Sequence, residues 1–108
     1  MPLIEEQTQQ IITTLSDCLA KCSACARDCA NQGNKDLARC IALCTDCAEL
    51  CRTCIPLMAR GSELTPELCR LCAEACERCA EECDRTVMTE CAEACRAAAA
   101  ACRQMVSA

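Results

Sequence analysis

Apolar and small residues recur along this chain in alternating steps of three and four, with polar and charged residues between them. That step is the repeat of one face of an α-helix. Helix formers such as Ala, Leu, Glu and Arg fill the gaps, and only two glycines and three prolines interrupt them. The pattern predicts four helices, over about 4–31, 36–60, 66–84 and 87–106, in one domain spanning 1–108. The core face of the first helix runs Ile4, Thr8, Ile11, Leu15, then Cys18. Gly33 and Asn34 mark the first turn, as a left-handed residue and a cap. Pro56 removes the donor to the Arg52 carbonyl, which predicts a kink, and Gly61 ends the second helix. Thr65 followed by Pro66 reads as a capping hydroxyl before a proline at the first helical position. Arg85 and Thr86 break the spacing before the last helix.

The residues on these stripes are mostly cysteine. There are 17 in 108 residues. They are Cys18, Cys22, Cys25 and Cys29; Cys40, Cys44, Cys47, Cys51 and Cys54; Cys69, Cys72, Cys76, Cys79 and Cys83; and Cys91, Cys95 and Cys102. An average step of 3.5 and short loops predict an all-α, antiparallel, up-down-up-down four-helix bundle with a cysteine-lined core and left-handed packing. Pairing each hairpin about its turn gives five flat layers. They are Cys29/Cys40/Cys83/Cys91, Cys25/Cys44/Cys79/Cys95, Cys22/Cys47/Cys76/Ala98, Cys18/Cys51/Cys72/Cys102 and Leu15/Cys54/Cys69/Met105.

Composition sharpens the picture. The chain has no Phe, Tyr or Trp, so cysteine, or what cysteine binds, has to supply part of the core. The net charge is −5 with basic residues scattered, which argues against nucleic acid. No stretch is long and apolar enough for a membrane span, and the N-terminus lacks the features of a secretory signal. The expectation is a cytoplasmic protein whose thiols stay reduced.

Free cysteine can serve as a small core hydrophobe, but 17 on four core stripes carry an oxidation hazard that alanine or valine avoids. A disulfide framework fits poorly with an odd count and with thiols three or four apart on one helix. Metal binding fits: two sulfurs on one ion lie about 4–4.6 Å apart, a separation that C-x2-C and C-x3-C pairs on a helix reach. The spacing is not that of a ferredoxin. Zinc would leave about two negative charges on each four-thiolate site, costly when stacked in a core without Lys or Arg. Cu(I) is monovalent and soft, accepts bridging thiolates, and neutralises the column. The absence of histidine removes the usual ligand of Zn(II) and Cu(II). A structural zinc bundle and a redox or iron–sulfur bundle stand as the alternatives.

The segments Cys-Ala-Glu-Ala-Cys-Glu-Arg-Cys-Ala-Glu-Glu-Cys (Cys72 to Cys83) and Cys-Thr-Asp-Cys-Ala-Glu-Leu-Cys (Cys44 to Cys51) make the chain resemble the bacterial copper storage proteins, cytosolic branch. The resemblance covers nearly the whole chain. It implies storage and sequestration of many Cu(I) ions without catalysis, a homotetramer, and copper, with a copper chaperone, as partners. All 17 cysteines are the candidate ligands, and Met88, Met58 and Met105 are candidate thioether ligands at the ends of the column, with core filling as the competing role. Two departures stand out: Ala98 occupies a place where the family tends to have cysteine, and there are no histidines for the bundle mouth.

Overall fold

The computed structural model describes residues 1–107, with only the backbone of Ser107. Four helices form it: α1 (Glu6–Gln32), α2 (Ala38–Ala59), α3 (Thr65–Arg85) and α4 (Thr89–Ser107). Each packs on two neighbours, α1 and α3 both lying between α2 and α4, in a rod of 49 × 21 × 19 Å. Short turns join them, so successive helices run antiparallel, as expected.

The ends of the helices follow backbone chemistry. Gly33 closes α1 at φ 62°. The Asn34 side chain accepts a hydrogen bond from the Asp36 amide at 2.9 Å and starts a 3-10 turn, Lys35–Leu37, that leads into α2. The second helix runs through Pro56 to Ala59 and ends on Gly61 at φ 63°, where the Ser62 amide donates to the Leu57 carbonyl and the Gly61 amide to that of Met58.

Three local expectations are corrected. The first helix begins at Glu6, because Glu5 is extended (φ −59°, ψ 145°), and Ile4 is only half-buried. Thr65 does not cap α3: its hydroxyl donates to the Leu57 carbonyl of α2 at 3.3 Å, and Ser62 Oγ accepts the Leu64 amide instead. The last helix begins at Thr89, because Val87 sits at φ 62° and ends α3 in the same way Gly61 ends α2. The Met88 amide donates to Cys83 at 2.7 Å and the Val87 amide to Asp84 at 3.2 Å. Glycine usually holds that left-handed position, so a β-branched valine gives no sequence signal for it.

One continuous core results. Every cysteine is buried, together with Ile11, Ile12, Leu15, Leu37 and Met58 and a row of small residues, among them Ala73, Ala92 and Ala98. The alanines let the backbones approach, so four stripes of short side chains meet without aromatic filling. At the far end from the Gly33 and Val87 turns, Ile11, Ile12, Leu15 and Met58 close the bundle, with Met105 and Val106 half-buried beside them.

Candidate metal centre

All the cysteines are free and buried, and most of their sulfurs lie in contact with one another in a column. Cys47 and Cys76 lie 3.2 Å apart, Cys22 and Cys95 3.4 Å, and Cys79 and Cys44 3.5 Å. Four sets of four sulfurs each lie within 4.8 Å of one another: Cys18/Cys47/Cys51/Cys76, Cys18/Cys22/Cys47/Cys95, Cys22/Cys44/Cys79/Cys91 and Cys25/Cys44/Cys83/Cys91. Cys25, Cys29 and Cys40 form a fifth set of three beside the Gly33 turn. The sets overlap: Cys18, Cys22, Cys25, Cys44, Cys47 and Cys91 each belong to two. Cys54, Cys69, Cys72 and Cys102, all buried, continue the column toward the aliphatic end.

The flat layers match some contacts between successive helices and fail between α1 and α4. Cys29–Cys40 at 3.9 Å and Cys51–Cys72 at 3.8 Å match the arithmetic. Cys95, placed opposite Cys25, instead touches Cys22 and Cys18, and Cys91, placed opposite Cys29, touches Cys22 at 3.7 Å. The α4 stripe therefore sits about one helical step or more toward the N-terminus of α1. Ala98 lies between Cys95 and Cys102 on α4, and the stagger places it toward the Cys18/Cys47/Cys51/Cys76 set, the one set of four with no α4 member. The physical reason is interdigitation. Knobs enter holes between two residues of the facing helix, as Cys44 lies between Cys79 and Cys83, and such staggering does not survive addition around a ring of four helices.

Burial governs the thiol chemistry. It pushes the Cys25 and Cys29 thiols above their ordinary range, with neighbouring sulfurs adding to it. Deeper in, thiols share protons: Cys69 is pulled down to about 4 by the hydrogen bonds of Cys102 and Cys54, while Cys102 and Cys54 are pushed up by the same bonds. A thiolate in this column needs either a neighbour's proton or a cation. Among the described residues no Lys, Arg or His is buried to provide one.

The turn end carries features that spacing alone did not reveal. Glu82 is buried, takes bonds from Arg85 Nε at 3.0 and 3.1 Å, and lies 3.7 Å from Arg39. Arg85 also donates to the Asp36 carbonyl at 2.9 Å, tying the two turns together. Thr86 donates to Cys40 Sγ at 3.6 Å. The i,i+3 pair Glu82 and Arg85 was the available signal. The three methionines are spread: Met58 is buried and Met105 half-buried at the aliphatic end, and Met88 is half-buried in a cleft that Cys25 and Cys91 also line. None of the helices in the described residues is long and apolar enough to cross a membrane.

Comparison with known proteins agrees with this geometry. No relative appears among functionally curated proteins. Among solved structures, apo copper storage protein 3 from Bacillus subtilis is 33% identical, with a TM-score of 0.80 over 92% of this chain and 98% of that one. A Cu(I)-bound copper storage protein is 31% identical, with a TM-score of 0.87 over 94% and 99%. The copper storage protein of Streptomyces lividans, loaded with 10 copper equivalents, is 29% identical, with a TM-score of 0.85 over 94% and 85%. The family model described as copper storage protein matches residues 4–107, so the chain belongs to the copper storage protein family.

Proposed function

We propose that this protein stores Cu(I) in its thiol column and is not an enzyme. One observation carries the reading: the sulfurs form overlapping sets drawn from all four helices. Overlap means bridging thiolates. Independent tetrahedral zinc sites would each need four thiolates of their own. A monovalent soft ion, held by two or three sulfurs that it shares, leaves the buried column near neutral. Each bound ion displaces thiol protons, so loading exchanges H⁺ for Cu⁺ in a site already dry.

All 17 cysteines act as ligands in this reading. Met58 and Met105 close the aliphatic end, and Met88 marks the other. The protein works in the cytoplasm, where its thiols stay reduced. It assembles as a homotetramer and receives copper through a chaperone, as the resemblance to its family implies. A membrane and nucleic acid play no part.

Competition between metals tests the assignment. Reduced protein offered Cu(I) and Zn(II) together is expected to take up Cu(I), and X-ray absorption of the product to show low-coordinate copper surrounded by sulfur alone. Retention of Zn(II) against Cu(I), in four-coordinate sites, would overturn it.

A further inference from the structure

Cys25 and Cys91 line a cleft in the surface. Cys25 and Cys91, 7% and 4% exposed, are the most exposed cysteines, and both open onto a cavity of about 290 Å³ between α1 and the start of α4. Met88 and Val87 form one wall, Lys21, Ala24 and Asp28 another, and Glu90 stands on the rim. Cys25 and Cys91 lie within 4.8 Å of one another and belong to the same set with Cys44 and Cys83. Cys25 also belongs to the set with Cys29 and Cys40, and Cys91 to the set with Cys22, Cys44 and Cys79. The cleft thus meets the column where three sets join. Its wall at Val87 is a left-handed β-branched residue, fixed by the two α3-terminating hydrogen bonds. Lys21 is drawn to Asp17 at 3.1 Å and Glu90 at 3.8 Å, so the rim carries no free positive charge from it to repel a cation.

We propose that this lateral cleft is the loading portal of the store, with Cys25, Cys91 and Met88 as a surface exchange site for Cu(I) delivered as a small thiolate complex. The inference rests on the Cu(I) storage reading and adds the route. A cleft of this size takes a small thiolate complex, which would supply copper alongside the chaperone. The transfer is ligand exchange. The Cu–S bond to the donor breaks as one to Cys25 forms, the Cys25 thiol proton passes to the released donor thiolate, and no electron changes hands. From Cys25 and Cys91 the ion moves to sulfurs they already share with the deeper sets.

The test follows the rate of uptake from Cu(I)–glutathione by reduced, anaerobic protein. Ala24→Trp fills the cleft and is expected to slow initial loading at least about fivefold with the final copper content of the wild type, and Met88→Leu is expected to slow it about twofold. Gln10→Trp, on the other end of α1, is expected to load like the wild type. Substoichiometric alkylation of wild-type apo-protein is expected to modify Cys25 and Cys91 first. Unchanged rates in Ala24→Trp and Met88→Leu, or earliest alkylation of Cys29, Cys40 or Cys102, would overturn the portal. If Ala24→Trp loses helicity, Met88→Leu and the alkylation order decide. A wild type that takes up no Cu(I) would instead overturn the storage reading.

Discussion

Ala98→Cys would place an eighteenth thiol where α4 leaves a gap, and its consequences depend on which sulfurs it meets. Ala98 is fully buried, and the α1–α4 stagger places it toward the Cys18/Cys47/Cys51/Cys76 set. Alone, the substitution adds one atom to a packed column and is expected to cost about 1 kcal/mol, at the low end of overpacking. Cys18→Ala alone removes a buried group worth ~0.8 kcal/mol. The roughly 25 Å³ void it leaves adds ~0.6 kcal/mol at about 24 cal/mol per Å³. In the double variant the new sulfur enters the void of the old one. The two changes then offset, with a coupling of about 1–2 kcal/mol. Paired with Cys22→Ala, whose α4 neighbours are Cys91 and Cys95, the same Ala98→Cys is expected to be additive within ~0.5 kcal/mol. Urea unfolding of the reduced apo-proteins, followed by far-UV circular dichroism, measures both cycles. Coupling to Cys22 without coupling to Cys18 would refute the stagger and restore the flat layers. Loaded with Cu(I), Ala98→Cys is also expected to carry about one ion more than the wild type.

Glu82 is held below the ordinary carboxylate range by Arg85, so its contribution to stability is present above about pH 4 and is lost as pH falls through the lowered value. Glu82→Gln should therefore cost about 1 kcal/mol at neutral pH, limited by the half-exposed Arg85, and should flatten the acid side of a stability–pH profile. At the alkaline end the sign reverses. Cys25 and Cys29 are raised in the fold, so apo stability is intact below the ordinary thiol value near pH ~8.5 and falls as pH rises through the raised values. Thermal melts of apo-protein across that range should show the loss, and Cu(I)-loaded protein should not. Val87→Gly should stabilise the apo bundle by about 0.5–1 kcal/mol, as relief of left-handed strain outweighs the added chain entropy; a drop in the denaturation midpoint would count against strain at φ 62°.

Reading the chain by periodicity located what periodicity controls. Cysteine stripes, helix count, antiparallel order and the turns at Gly33 and Gly61 follow from steps of three and four and from residues with special backbone freedom. Val87 escaped because its conformation is imposed by two hydrogen bonds at the end of α3, against its own preference. Thr65 escaped because its hydroxyl found a better acceptor in Leu57, a residue of another helix. The hairpin pairings Cys29–Cys40 and Cys51–Cys72 were legible because turns fix them. The α1–α4 register was not, since no turn joins those two helices and the stagger of each interface accumulates before they meet. The cleft at Cys25 and Cys91 follows from that register, so it too was out of reach of the sequence.

Anaerobic titration of the reduced protein with Cu(I), read by native mass spectrometry, tests the central claim most directly. With shared, bridging thiolates the chain is expected to fill to roughly one Cu(I) per thiol and to remain folded throughout. Saturation at about four ions per chain would mean separate four-thiolate sites and would contradict the bridged column.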